Sequence, residues 1–176
     1  MLVRPANARD IPAIQAIYAH HVLHGLASFE EAPPAADEMR RRFEEITKQG
    51  LPYLVVEMAD ELVGYGYCSL YRTRSAYRYT LEDSVYVKAG RQGNGIGKAV
   101  LSELIDRCTA LKYRQIIAVI GDSANAASIG LHASLGFVRA GNLRSTGFKF
   151  GRWVDSVLMQ LPLGPGDGTK PPAAKA

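Results

Sequence analysis

The sequence predicts a single α/β domain built on a mixed sheet, and three observations lead there. The chain has 176 residues, a length that suits one domain better than two. Hydrophobic residues make up 47% and charged residues 22%. That is the balance of a globular chain able to bury about two-thirds of its unfolded surface without disulfides or metal. Hairpin-forming strands come first and a strand–helix–strand unit follows, a mixture that calls for antiparallel and parallel pairs in one sheet.

Residues 2–4 form a short first strand. Asn7 followed by Asp10 is an N-cap signal, Pro12 fits a first helical turn, and Ile11, Ile14, Ile17 and Tyr18 keep helical spacing to about residue 24. A second helix covers 38–49, with Met39, Phe43 and Ile46 on one face. The apolar run 53–58 is a strand, and a tight turn at Asp60-Glu61 leads into its hairpin partner, 62–71. A third strand spans about 78–87. Residues 90–97 are rich in glycine and open a helix that runs to about 112 through Val100, Leu101, Leu104 and Ile105. Strand 115–120, helix 126–135, a strand from 136 to about 143 and a closing strand 153–161 complete the body. From Pro162 the chain reads PLGPGDGTKPPAAKA, with little apolar bulk. Such a stretch cannot offset its ordering entropy, so 1–161 is expected to fold and 162–176 to be a disordered tail.

Composition excludes several function classes. The net charge is only +4, and the densest basic run, Arg40-Arg41-Arg42, falls on a helix face, so a solvated face is expected rather than a nucleic-acid surface. No apolar run approaches membrane-spanning length, and the first ten residues lack the apolar core of a secretion signal. Cys68 and Cys108 have no metal-ligand spacing and read as reduced thiols of a cytoplasmic protein. His20 and His24 stand four apart but without HExxH or an acidic third ligand, so no metal is expected.

The most informative segment runs from Val85 to Lys98. A strand enters a glycine-rich turn, and the turn enters a helix, the arrangement that gathers backbone N–H groups and a helix dipole around a phosphate. A dinucleotide fingerprint fails because Gly93, Gly95 and Gly97 give G-x-G-x-G. A Walker A loop fails because Gln92 stands where glycine is needed and Ala99 follows Lys98. A turn without ligand is the bland alternative.

Gln92-x-x-Gly95-x-Gly97 after Val-x-Val is similar to the acetyl-CoA pyrophosphate loop of the GNAT N-acetyltransferases. Asn125-Ala126-Ala127-Ser128 followed by His132-Ala133-Ser134-Leu135-Gly136-Phe137 resembles that superfamily's second cofactor segment. Three further segments (80–87, 118–120 and 147–155), with Arg72-x-Arg74-x-x-Tyr77, resemble its phosphinothricin and methionine sulfoximine acetyltransferase branch. The resemblance implies a mostly antiparallel mixed sheet flanked by helices, with central strands that splay, and a homodimer. It implies acetyl-CoA as cosubstrate. Backbone contacts are expected from Val85, Tyr86 and Val87. The pyrophosphate loop would be Gln92, Gly93, Asn94, Gly95, Ile96, Gly97 and Lys98, with further contacts from Asn125 and Ser128.

The implied chemistry is attack of an amine on a thioester. An α-amine with pKa near ~8 is mostly protonated at pH 7, so the site must remove a proton. Strand alternation puts Glu82, Ser84 and Tyr86 on one face and Asp83, Val85 and Val87 on the other. Glu82 coincides with the branch's catalytic glutamate and is the expected base, a surface carboxylate being the alternative. His132 stands where many GNAT enzymes carry a tyrosine that protonates the leaving thiolate, a position the branch fills with histidine. It is the expected acid or relay, a packed helix histidine being the alternative. Arg72 and Arg74 would clamp the anionic groups of a small amino acid, with Ser75 and Tyr77 as hydrogen-bonding partners and Phe29 as an apolar wall. The bland reading of the two arginines is a solvated loop. The expected substrate is a glutamate- or methionine-like amino acid: phosphinothricin, methionine sulfoximine or methionine sulfone. The competing readings are acetylation of a polyamine, an aminoglycoside or a protein N-terminus, and a non-catalytic acetyl-CoA sensor.

Overall fold

The computed structural model describes residues 1–171. Its elements in chain order are β1 (Leu2–Pro5), α1 (Ile11–His24), α2 (Ala36–Lys48), β2 (Tyr53–Met58), β3 (Glu61–Leu70), β4 (Thr80–Val87), α3 (Ile96–Ala110), β5 (Gln115–Gly121), α4 (Ala126–Ala133), β6 (Val138–Lys149) and β7 (Arg152–Pro162). All eleven are expected from the periodicity.

Local chemistry sets the helix ends. The Asn7 side chain accepts from Arg9 N–H, and Asp10 accepts from the Asn7 N–H at 2.8 Å, a capping box ahead of α1. Arg4 donates to both Asp10 oxygens at 2.8 Å and ties β1 to that start. α2 buries Met39 and Ile46 and presents Arg41 and Arg42 to Glu38, with Glu45 and Glu30 beside them. Two of the three basic residues in the run are thus neutralised locally.

The seven strands form one sheet in the order β1-β2-β3-β4-β5-β7-β6, antiparallel at every pair except β4–β5. The β4–β5 ladder ends at Asp83–Ala118. β4 nevertheless stays paired with β3 to Val87, and β5 stays paired with β7 to Gly121. The two strands therefore part beyond Asp83 and leave facing backbone edges that no strand pairs. One sheet face carries Tyr65, Tyr67 and Ser69, in register with Tyr86, Ser84 and Glu82, and lies under α1, whose Tyr18 and His21 rings meet Tyr86. The other face, with Cys68, Leu81 and Asp83, lies under α3, where Gly66 gives Val100 and Leu104 room to close on the sheet.

Three details differ from the expectation. The β2–β3 turn is at Ala59-Asp60, both in the left-handed region with φ of 49° and 61°, and Glu61 already belongs to β3. β6 runs to Lys149 rather than 143. It does so through an irregularity at residues 143–147, where Ser145 takes φ 54° and donates its N–H to Asp155 at 2.9 Å. The segment expected to be a disordered tail begins in the sheet. Pro162 ends β7, Leu163 is buried, and Arg114 donates to Gly166 O, Thr169 Oγ1 and Lys170 O at 3.1–3.2 Å. Leu163 supplies the apolar anchor that the Pro/Gly composition hides. The rest of that expected tail, 172–176, lies outside the described residues.

Candidate active site

The parting of β4 and β5 opens a cleft of about 600 Å³. Val85 and Val87 form one wall, Gly121 to Ser128 another, Leu26 and Ala27 a third, and its far end is the loop 91–98 at the start of α3. Gly95 caps α3 with φ 76°, a conformation that costs an L-residue ~1–2 kcal/mol. Gly97 is needed for a different reason: a Cβ there would stand 3.0 Å from Leu131 of α4. The loop carries Arg91 and Lys98, and the N-terminus of a 15-residue helix faces the same end. Gln92, Gly93, Gly95, Ile96, Gly97 and Lys98 all line the cleft, whereas Asn94 does not. Its amide turns back to the carbonyls of Arg91 and Gln92 at 3.1 and 3.3 Å and shapes the loop. A mostly apolar cleft of this volume with cationic groups and helix N–H donors at one end fits an adenosine diphosphate joined to a pantetheine arm.

Asn125 and Ser128 line this cleft and also a smaller cavity of about 50 Å³ deeper in the strand gap. Asn125 is the α4 N-cap: its Oδ1 accepts from Ser128 N–H at 3.1 Å. Tyr86 reaches the smaller cavity, while its ring is packed among Tyr18, Tyr65 and His21.

Glu82 lies on the α1 face, half-buried and in register with Ser69 of β3 and Ile117 of β5. Burial, with the neighbouring Asp83 charge, pushes its carboxyl above the ordinary value, and Arg72 pulls the other way. Arg72 stands 4.4 Å over the Tyr71 ring and is the arginine whose field reaches Glu82. Arg74, Ser75 and Tyr77 sit together on the exposed turn after β3, where Ser75 O accepts from Arg78 and Tyr77 meets the Tyr71 ring edge-on at 5.9 Å. Phe29 is exposed at its outer side and packs its ring where a Cβ on Gly147 would otherwise stand, 2.8 Å away.

His132 is on the opposite face of the sheet from Glu82. It is 4% exposed, and both ring nitrogens are engaged: Nδ1 with Ser128 O at 2.7 Å and Nε2 with Asp83 Oδ2 at 3.0 Å. Phe137 meets the ring edge-on at 4.9 Å. Burial opposes a charge on this ring, yet the Asp83 hydrogen bond and charge, helped by Ser128 O, raise its pKa above the ordinary histidine value.

Several residues at the site escape sequence reasoning. Asp83 has one signal, an acid on a face otherwise set by Leu81, Val85 and Val87. His21 meets Val87 O at 2.8 Å on the cleft wall. Lys149, 2% exposed, donates to Gly25 O and Ser28 O at 2.9 and 2.7 Å and holds the loop that carries Leu26 and Ala27. These depend on contacts between segments distant in sequence.

The model of the acetyltransferase (GNAT) domain matches residues 3–158. Phosphinothricin N-acetyltransferase of Alcaligenes faecalis is 57% identical over 169 residues, covering 96% of this chain and 86% of that protein. L-methionine sulfoximine/L-methionine sulfone acetyltransferase of Pseudomonas paraeruginosa is 40% identical over 164 residues, covering 93% and 95%. The crystal structure of a GNAT superfamily phosphinothricin acetyltransferase from Sinorhizobium meliloti in complex with acetyl-CoA superposes with a TM-score of 0.95 at 49% identity, covering 98% and 94%.

Proposed function

The chain belongs to the GNAT acetyltransferase family, and from that premise we propose that it N-acetylates the α-amine of a small glutamate- or methionine-like amino acid. Phosphinothricin, methionine sulfoximine and methionine sulfone are the candidates, the substrates named for its relatives. The observation that carries the reading is the gap between β4 and β5, which joins the α3 N-terminal loop to the strand bearing Glu82.

Acetyl-CoA supplies the acyl group as an activated thioester. Val85 and Val87 offer it a backbone edge that β5 does not pair, the Val87 carbonyl being met by His21; the loop 92–98 offers N–H donors and Lys98, and Asn125 and Ser128 line the arm. Glu82 is the base. Its raised pKa brings it closer to that of an ammonium group than an open carboxylate would be, which favours proton removal. Arg72 and Arg74 hold the carboxylate and the side-chain oxoanion of the substrate, and Phe29 packs on its carbon chain. Two arginines beside the acceptor disfavour polyamines and aminoglycosides by like-charge repulsion. The protein acts in the cytoplasm, and as a homodimer through Phe148, Phe150 and Trp153, which stand exposed together at the β6–β7 hairpin.

The test is CoA-thiol release over an amine panel. The three amino acids are expected to give kcat/KM values at least ~10-fold above their parent amino acids and above spermidine, a margin of about 1.4 kcal/mol. A preference for the polyamine would defeat the assignment.

A further inference from the structure

The geometry assigns Asp83 as a positioning residue of this site: it holds His132 as a doubly protonated ring, keeping one proton between Nε2 and Oδ2 in the wall of the cavity where β4 and β5 part. Hydrogen-bond logic leads there. Ser128 O can only accept, so at 2.7 Å Nδ1 must be the donor. A neutral ring would then turn the Nε2 lone pair toward a carboxylate oxygen 3.0 Å away. Both side chains are almost sealed, at 4% and 2% exposure, so water does not relieve that repulsion. A proton between the two atoms removes it and makes a charge-assisted hydrogen bond.

The surroundings agree. Asp83 Oδ1 is buried with no hydrogen-bond partner among the described residues, so Oδ2 and the ring carry the carboxylate's one such contact there. Among the described residues, the titratable groups around the pair are Glu82 on the far face of β4, held toward its neutral form by burial and by Asp83, and Cys68 across the β3 ladder, held neutral by its hydrogen bond with Cys108, by burial and by Asp83. Phe137 closes one edge of the ring, and Ala118 of β5 stands opposite Asp83. Asp83 and His132 both line the small cavity with Ser84, Val85 and Ser128. A proton leaving this pair leaves a neutral imidazole, its Nδ1–H still on Ser128 O, and an ionised Asp83. Water restores it. The pair therefore gives and takes one proton as a unit. Its relevance to catalysis rests on the reading of the cleft above; the position of the proton does not.

The experiment is 15N imidazole NMR of the ligand-free full chain from pH 5 to 9, beside steady-state kinetics. In the wild type, His132 is expected to show two protonated nitrogens through pH 8. Asp83→Asn is expected to give a singly protonated ring at pH 7 and to lower kcat about 10-fold or more, leaving KM for acetyl-CoA within twofold. Asp83→Ser, which is smaller and still polar, serves if the asparagine variant does not fold. A wild-type ring that is neutral at pH 7 overturns the proposal, as does a folded variant with unchanged titration and kcat. If neither variant folds, the wild-type spectrum alone decides. A doubly protonated ring in a protein that acetylates no amine would sink the proposed function and leave this assignment standing.

Discussion

Glu82 and Asp83 are neighbours in the chain with opposite surroundings. Alternation along β4 sends one under α1 and the other under α3 and α4, and period two makes that much legible from sequence. Which of the two finds a partner is not legible, because Asp83 meets a histidine 49 residues away. Glu82 faces Arg72 only at a distance and is burdened by burial. Its raised pKa means the folded state binds this proton more readily than the unfolded chain. That favours folding below the unfolded pKa, and the benefit is lost as pH rises through the folded pKa. At pH 7 the ionised Glu82 therefore costs stability. Glu82→Gln is expected to raise the melting temperature at pH 7 while lowering kcat by ~10²-fold or more. Calorimetry and thiol-release assays read the two effects. The acid limb of the wild-type rate profile should lie above the range of an open carboxylate.

At the scale of elements, the connection between α1 and α2 is the part with the least local signal and the most tertiary support. Lys149 holds Gly25 and Ser28 by their carbonyls, and Tyr18 Oη meets Ser28 Oγ at 2.9 Å and donates to Glu30 at 3.0 Å. Arg42 of α2 reaches Glu30 at 2.7 Å. Gly121 makes room for the crossing: a Cβ there would stand 2.0 Å from Leu26 O. This loop carries both a cleft wall and Phe29. Gly121→Ala is expected to displace it, weakening acetyl-CoA binding by 10-fold or more in a calorimetric titration. Lys149→Met strands the buried Ser28 carbonyl and the part-buried Gly25 carbonyl and is expected to cost about 1–3 kcal/mol in denaturant unfolding. The β2–β3 turn is the reverse case, a place to gain. Ala59→Asn with Asp60→Gly puts in the residues that left-handed turn positions favour, and a melting temperature higher by about 2–4 °C is expected.

For the whole molecule, the strand order leaves β6 as a twelve-residue edge, and its hairpin with β7 exposes Phe148, Phe150 and Trp153. An edge of that length and an aromatic patch beside it are the features that single chains hide against a partner. Sedimentation is expected to give twice the 19.2 kDa chain mass. Phe148→Asp with Trp153→Asp is expected to give monomers that keep their far-ultraviolet circular dichroism, since neither ring is in the core. A wild-type monomer at micromolar concentration would remove the dimer from the proposal.

By itself the sequence determined the eleven elements, their order, the two faces of β4 and the glycine loop. Each is written in short-range spacing: period two, period 3.6, caps, and glycines where φ is positive. The loop, Asn125 and the Gly136-Phe137 pair were enough to point to the family. Only the tertiary structure decided what pairs with what. It closed a buried hydrogen bond between Asp83 and His132, so the histidine expected as an acid or relay has both ring nitrogens engaged. It sent Lys149 across 124 residues to the α1 loop, and it seated Leu163 in the core from a stretch whose composition resembles a tail. The physical reason is the same in each case. Burial and pairing depend on which distant segment arrives alongside, and local spacing carries no record of that.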